Sequence, residues 1–516
     1  MADRVGRCVN IGNCSLADKR QPIIVQPGTD FICPECGKGL ITALGASGSS
    51  GGTQRNLLMV GGSVLALAIV GGALLGLKSC SRTPGSITVA LPAIVSSGGT
   101  EPMLRIGGSN TIGDKLAPAL AAAWLKTLGC TSTTTTVPAK DESVISCEAD
   151  GKTLSVSISA KGTETGFSGL ASGAFDIAMA SDRIDPAQAA SLAALGDMTA
   201  PASEHVIAFD GVAIVVNPGN PVRKLSLDQA AGLFSGVIGD WAQVGGTPGH
   251  VQVYARDEKS GTWKFFKRSI LDSHGATLAN DAKRFESGTD LGSAVLSDPG
   301  GIGFVGFNSI ASARPVALAA AGAQSLVPNR FSIATEDYAL SRQLYLYTAA
   351  APKRPNVLRF LAFVASPAGQ AVVEATGFVP RTVKQETMGA QDGAPARYTQ
   401  LTNGALRLTS TFRFDSGKSS FNTRSLSEPE LVEQFLTDNH IAPDKLMLFG
   451  FADSRGGEAL NLRLSQDRAN YVREALATRG LTPGIVEGFG TALPVADNVT
   501  TVGQQKNRRV EVWIKR

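Results

Sequence analysis

Short apolar runs alternate with amphipathic stretches from Leu104 onward, and the alternation predicts strand, helix, strand, helix. LRIGGSN runs straight into TIGDKLAPALAAAWL, and SVSISAKGT into ETGFSGLASG, the order of an α/β fold. A third step of this kind is VQVYARDEKSGTWKFFKRSI, where the strand Val251 to Ala255 leads through Arg256 to Ser260-Gly261-Thr262 and an amphipathic helix. After Met388 to Ala396 the pattern restarts. From Leu406 it reads strand (LRLTSTFRFD), helix (SEPELVEQFLTDN), strand (KLMLFGFAD), long helix (GEALNLRLSQDRANYVREALATRG), then strands IVEGFG and VEVWIK, an α+β sandwich. On the long helix Leu460, Leu464, Val472 and Leu476 recur at helical spacing, and Arg468 falls midway on that stripe. An arginine on a buried stripe needs a partner. Asp453, just past an apolar strand, is the nearest in sequence, and Asn461 adds an amide on the same face.

The first hundred residues follow a different pattern. Leu57 to Leu77 carries no charge, and at about 1.5 Å per residue a helix of that length crosses a hydrocarbon core of roughly 30 Å. It is read as one transmembrane helix, because the run begins only at Leu57, far beyond a signal peptide's short basic start, and Lys78 stands where a lipoprotein site wants a small residue. Arg4, Arg7, Lys19, Arg20, Lys38 and Arg55 precede it and only Lys78 and Arg82 follow closely, which puts the N-terminus in the cytoplasm of a bacterial inner-membrane protein. Cys8, Cys14, Cys33 and Cys36 offer four thiolates in two pairs, a set suited to one structural zinc ion. The C-x5-C spacing of the first pair departs from the usual C-x2-C, and reduced cysteines or a redox pair is the other reading. The segment resembles the zinc-ribbon heads of several bacterial membrane proteins.

Gly, Ser, Pro and Thr-rich stretches mark the boundaries. They divide the chain into a zinc ribbon (1–44), linker (45–56), transmembrane helix (57–77), linker (78–101), middle domain (102–390), linker (391–402) and C-terminal domain (403–516). A chain of 516 residues, 43% hydrophobic and 18% charged, is neither disordered nor polytopic. Its net charge of +4 makes no case for nucleic acid as a partner. Cys130 and Cys147 bracket the Thr-rich stretch TSTTTTVPAKDESVIS, which reads as a surface hairpin that an oxidising compartment would let them close with a disulfide.

Each of the three strand-to-helix turns in the middle domain ends in Gly with Ser or Thr, so unpaired helix amides face one space. Three of them with Arg256 argue for an oxyanion ligand. The segments GGSNTIG, FDIAMASDRI, GVAIVVNPGNPVRKLSLDQAAGLFSGVIGDW, ARDEKSGTWKFF and PGGIGFVGFNSI resemble, in order and over about Leu104 to Val383, the PstS-like periplasmic phosphate-binding proteins. That resemblance implies a two-lobed type II periplasmic-binding-protein fold that closes on phosphate and makes or breaks no bond. It implies a ligand set of Thr111 and the Ile112 amide, Thr163, Asp182, and Arg256 with Ser260, Gly261 and Thr262. Thr163 stands where serine is usual, and Glu164 in a loop usually built of Gly, Ser and Thr would repel an anion unless it turns outward. An ionised Asp182 only accepts, so it selects an oxyanion that carries a proton and turns sulfate away. The plainer readings are a helix cap or a partner of Arg183 for Asp182, and a surface salt bridge for Arg256. No nucleophile stands beside a base in this region, which reads as a binder and not an enzyme.

GFADSRG, NLRLSQDRANYVREAL, GFGTALPVADN and NRRVEVWI resemble the OmpA-like peptidoglycan-binding domain. The resemblance implies a site for the diaminopimelate of the wall's stem peptide, amine to Asp453 and carboxylate to Arg468, with Asn461, Asn507, Arg508 and Arg509 in support. The plainer readings are a structural Asp453–Arg468 ion pair, and solvated charges at the edge of the last strand for Arg508 and Arg509. The expected protein is a membrane-tethered phosphate receptor held on peptidoglycan, with an ABC transporter or a signalling protein as further partner. The other expectation is an envelope scaffold whose middle domain is a spacer.

Overall fold

The computed structural model of the protein describes residues 4–7, 22–25, 33, 41–42, 101–310, 312–414, 421–422 and 424–516. These fall into two units, Met1–Pro92 and Ala93–Arg516. In the first, Arg4–Arg7 is the central strand of a small antiparallel sheet between Pro22–Val25 and Ile41–Thr42. Cys33 is buried. Cys8, Cys14 and Cys36, and with them the zinc site, lie outside the described residues, as does the transmembrane helix expected over 57–77. Among the described residues no single helix is long and apolar enough to cross a membrane.

In the second unit the apolar runs pair into an eleven-stranded sheet that serves two lobes. The first lobe is built from β1 (Leu104–Gly108), α1 (Asn110–Gly113), α2 (Leu116–Thr127), β2 (Thr134–Thr136), β3 (Glu142–Ala149), β4 (Lys152–Ser159), α3 (Thr163–Ser172) and β5 (Ile177–Ala180). The chain then crosses through β6 (Glu204–Val216) to β7 (Gln252–Arg256), α4 (Gly261–Phe266), β8 (Lys283–Phe285), α5 (Gly288–Ser297), β9 (Gly301–Gly306) and α6 (Arg330–Ala334). It returns through β10 (Ser341–Tyr347), and α7 (Pro355–Ala365) and α8 (Pro367–Ala375) complete the first lobe. The strand order is β8-β7-β9-β6-β10-β5-β1-β4-β3-β2, and the two-residue strand Arg314–Pro315 beside β6 is the eleventh. β6 is the bridge: Glu204 to Gly211 pair antiparallel with β10, and Val212 to Val216 pair with β9. Every residue of β6 except His205 is buried, which explains its nearly unbroken apolar sequence. Glu204 at its start and Asp210 within it are the buried acids. Cys130 and Cys147 are joined by a disulfide across the β2–β3 hairpin, with Cα atoms 6.0 Å apart.

The C-terminal part is a five-stranded sheet with helices against it: β11 (Gln385–Thr387), α9 (Ala396–Thr402), β12 (Leu406–Arg413), α10 (Glu428–Asp438), β13 (Leu446–Gly450), α11 (Glu458–Ala477), β14 (Ile485–Gly488), α12 (Thr501–Asn507) and β15 (Arg509–Ile514). Its order is β11-β12-β15-β13-β14. Two features differ from the sequence reading. β11 lies in a stretch assigned to the middle domain yet pairs with β12, and a three-residue edge strand has no periodicity to announce it. α9 occupies a stretch read as linker, held there by Tyr398, which is buried among Phe449, Phe451 and Trp513.

The buried stripe of α11 is also more polar than its leucines suggest. Asn461, Ser465, Arg468, Ala469, Val472 and Leu476 face the sheet, while Leu460 and Leu464 are only half-buried. The helix lies so close that a Cβ on Gly450 would come within 2.0 Å of the Ser465 carbonyl oxygen. A leucine side chain has no room on that line of approach.

Candidate functional site

The strand-to-helix turns of the two lobes face each other. Thr111, at the start of α1, belongs to the first lobe, and Gly261, at the start of α4, to the second. A Cβ on Gly261 would lie 2.7 Å from the Thr111 hydroxyl and 3.9 Å from that of Ser181, so only glycine lets the loops approach this closely. Ser260 caps α4: its Oγ accepts from the amides of Thr262 and Trp263 at 3.2 and 3.4 Å. Its own proton is then directed elsewhere, toward any acceptor that enters the turn. Thr163 opens α3, and its Oγ1 accepts from the Ser181 amide at 3.3 Å. Ile112 follows Thr111 with its side chain fully buried. Glu164 is exposed on the first turn of α3, and so turns outward.

Arg256 ends β7. Its Nη2 donates to the Glu286 carbonyl at 2.6 Å, and its Nε is buried without a hydrogen-bond partner. Among the described residues no carboxylate stands within ion-pair distance of it. Burial lowers its pKa, opposed by the charges of Asp257, Asp114 and Glu286. The guanidinium is therefore a partly desolvated charge in want of an anion, and the surface-salt-bridge reading does not describe it. Asp114, one turn beyond Thr111, is the first-lobe group that feels it: burial and Asp141 raise the Asp114 pKa, and Arg256 lowers it.

Asp182 is placed differently from the resemblance. Its Oδ1 accepts from Arg268 Nη2 at 2.5 Å, on the helical continuation of α4, so the pair spans the two lobes. A proton-bearing oxyanion would have to share this carboxylate with Arg268. Neither a helix cap nor a partner of Arg183 describes it, since Arg183 Nε pairs with Glu204 at 2.9 Å.

Sequence reasoning missed Arg342 and Asp210. They stand opposite each other on β10 and β6, both almost wholly buried, with Arg342 Nη2 2.7 Å and Nε 3.0 Å from Asp210 Oδ2. The guanidinium also donates to the Gly261 carbonyl at 3.2 Å and to Thr111 Oγ1 at 3.3 Å. From a crossover strand it thus touches both facing turns. The signal available in the sequence was one acid inside the apolar run Val206 to Val216 and one base in the otherwise uncharged Ser341–Tyr347.

In the C-terminal domain Asp453 does not pair directly with Arg468. Its Oδ2 accepts from Arg508 Nη1 at 2.7 Å, and its Oδ1 from the Arg455 amide at 3.0 Å and Arg455 Nε at 3.4 Å. Burial pushes the carboxyl up, but the bonds from Arg508 and Arg455 outweigh it and hold it below its usual range. Arg468 donates to the Phe451 carbonyl at 3.2 Å. Burial, with Arg508 adding to it and Asp453 opposing, brings Arg468 down to about 10. Asn461 is buried and donates to the Gly456 carbonyl at 3.4 Å.

The reading of Arg508 and Arg509 as solvated edge charges does not hold, for both are 1% exposed. Arg509 pairs with Glu511 at 2.8 Å and lies over the Phe451 ring at 3.9 Å, away from Asp453. Arg508 caps the C-terminal end of α12 and Arg509 begins β15, and their side chains find different partners. Asn507 accepts from the Val495 and Ala496 amides and so builds the loop before α12. Asp453, Arg508, Arg468 and Asn461 are thus gathered on one side, and Arg509 serves the fold.

Fold and site together define a two-lobed binding domain followed by a compact α/β domain. Residues 122–368 match the family described as PBP superfamily domain, and residues 413–508 match the OmpA family. Over 252 residues the chain is 29% identical to Protein SphX of Synechococcus elongatus, covering 46% of this chain and 73% of that one. It is 24% identical over 251 residues to the phosphate-binding protein PstS of Borreliella burgdorferi, covering 48% and 87%. Its C-terminal part is 45% identical over 69 residues to the probable lipoprotein YiaD of Escherichia coli, covering 13% and 32%. The middle domain is PstS-like and the last is OmpA-like.

Proposed function

We propose that the protein is an envelope receptor that closes its two lobes on inorganic phosphate and holds peptidoglycan through the C-terminal domain. The observation that carries this reading is Arg256, a half-buried guanidinium with an unpartnered Nε and no carboxylate partner among the described residues. It stands at the end of the strand that leads to the Ser260-Gly261-Thr262 turn. An oxyanion at that turn would neutralise the charge, while Ser260, Thr111, Thr163 and the α4 amides donate to its oxygens. Asp182 would accept the proton of hydrogen phosphate, which sulfate lacks. On the wall side, Asp453 and Arg468 would take the amine and carboxylate of diaminopimelate, with Asn461 and Arg508 beside them. The N-terminal part completes the proposal: Cys8, Cys14, Cys33 and Cys36 hold one zinc ion, residues 57–77 cross the inner membrane, and the ribbon faces the cytoplasm. An ABC transporter or a signalling protein would be the partner that reads the closed state.

The test is calorimetric titration of phosphate and then sulfate into the full chain, freed of carried-over ligand, beside Arg256→Ala. Micromolar or tighter phosphate binding that Arg256→Ala abolishes, with sulfate much weaker, supports the receptor. No binding by the folded protein leaves the wall-held scaffold.

A further inference from the structure

The segment between α6 and β10 is gripped along its length by the C-terminal domain. Arg413 Nη2 donates to the Thr335 carbonyl at 2.5 Å and Arg424 Nη2 to that of Ala334 at 2.9 Å. The next two residues, Glu336 and Asp337, are both buried. Glu336 receives Arg424 Nη1, and Asp337 receives Arg407 Nη1 at 2.7 Å and Arg413 Nη2 at 3.3 Å. Glu336 has φ +60°, a conformation unfavourable for a non-glycine residue that persists only where its surroundings impose it. Lys506, in the last turn of α12, donates to the carbonyls of Tyr338 and Ala339 and to Ser341 Oγ at 3.2, 3.1 and 3.1 Å.

Ser341 is the first residue of β10, and the next is Arg342, which holds Thr111 of one lobe and the Gly261 carbonyl of the other. The grip therefore ends one residue from the side chain that touches both facing turns. Arg342 and Lys506 also line one cavity of about 190 Å³ beside the cleft, together with Asp182, Arg183 and Arg424.

We propose that the C-terminal domain is the energetic partner of the anion cleft, its seating on residues 334–341 fixing Arg342 in the position that clasps the closed lobes. The proposal rests on the phosphate reading for its ligand, and on the contacts above for its route. Arg342 is a positioning residue here, acting through the two turns. Because linkage is reciprocal, an anion that favours the closed lobes tightens the seating by the factor by which the seating tightens anion binding. A domain held on the wall would then set the affinity of the receptor attached to it.

The experiment uses the full chain and Lys506→Met, which keeps an unbranched side chain and removes the ammonium that holds Ser341. Hydrogen exchange without any anion is expected to quicken at residues 109–113 and 260–262, far along the chain from the substitution. Phosphate titration is expected to show affinity reduced about tenfold, within the usual range of coupling. In an Arg342→Lys background, which no longer reaches both turns, Lys506→Met is expected to cost nothing further. Ser341→Ala, a milder change that leaves every ion pair of the dock in place, is expected to act in the same direction and guards against a failure of Lys506→Met to fold. Unchanged exchange at both turns in folded variants overturns the coupling whether or not phosphate binds. Equal phosphate affinity in wild type, Lys506→Met and Ser341→Ala, or additive losses with Arg342→Lys, overturns it as well. Exchange that quickens in the variants while the wild type binds no phosphate keeps the coupling and sinks the phosphate reading alone.

Discussion

Gly261→Ala tests the facing of the two turns. The added methyl would lie 2.7 Å from Thr111 Oγ1, about 0.7 Å inside the 3.4 Å at which ordinary contact begins. Thr111 relieves the contact only in the χ1 well that turns its Cβ hydrogen toward the methyl, and there its Oγ1 gives up the bond from Arg342 Nη2. Overpacking of this kind costs about 1–3 kcal/mol. The clash is between loops of opposite lobes, so opening relieves it, and the cost falls on closure and not on unfolding. Phosphate affinity is therefore expected to drop roughly 5- to 150-fold, with the unfolding midpoint nearly unmoved. Calorimetric titration of the full chain reads the first and scanning calorimetry the second. In a Thr111→Ala background the γ atoms are gone, and Gly261→Ala should then cost less than about twofold beyond Thr111→Ala itself. Wild-type affinity in Gly261→Ala, or the same loss in both backgrounds, would refute the reasoning.

Three further outcomes are expected. Asp337→Asn leaves Arg407 and Arg413 buried against a neutral amide, and should lower stability by about 3–5 kcal/mol in urea unfolding. Burial pushes Asp337 and Glu336 up, but the surrounding arginines hold both below their usual range. Their contribution is complete above the unfolded carboxylate range of about 4 and is lost as pH falls through the lower folded values, so Asp337→Asn should flatten the acid limb of the stability curve. Lys506 behaves in the opposite sense. Burial, against the pull of Glu336, brings it down to about 8, so between that pH and about 10.4 the unfolded chain binds the extra proton and stability rises with pH. Lys506→Met should remove that rise. Asp453→Ala strips Arg508 of its partner and should reduce retention of the folded full chain on purified peptidoglycan at least about tenfold, as loss of a buried charge pair does. Retention at the wild-type level would remove Asp453 from the wall site.

Local order in the sequence announced the elements and some of the loops between them. An apolar run that ends in Gly, Ser or Thr before an amphipathic stretch marks a strand-to-helix turn whatever surrounds it, and the turns at Thr111, Thr163 and Ser260 are of this kind. The alternation of the C-terminal segment likewise announced a helix over Glu458–Ala477. It did not announce which face that helix buries, because Gly450 brings the sheet so near that Asn461 and Ser465, and not Leu460 and Leu464, meet it. The three-residue strand at Gln385–Thr387 has meaning only beside Leu406 to Leu408.

Sequence by itself determined that this chain carries two differently built α/β domains, and it determined the residue types at their turns, since strand, helix and turn preferences act over a few residues. Tertiary structure alone decided which charges meet. Arg342 and Asp210 stand 132 residues apart, and Arg424 and Glu336 stand 88 apart. Nothing local in AFDGVAIVV, SRQLYLY or ATEDYALS distinguishes a solvated charge from a buried one. A buried charge is stable only where a distant segment brings its opposite, and which segment that is follows from the packing of the whole domain. The same packing took Asp453 from Arg468 and gave it to Arg508, and it set the C-terminal domain against the strand that joins the two lobes.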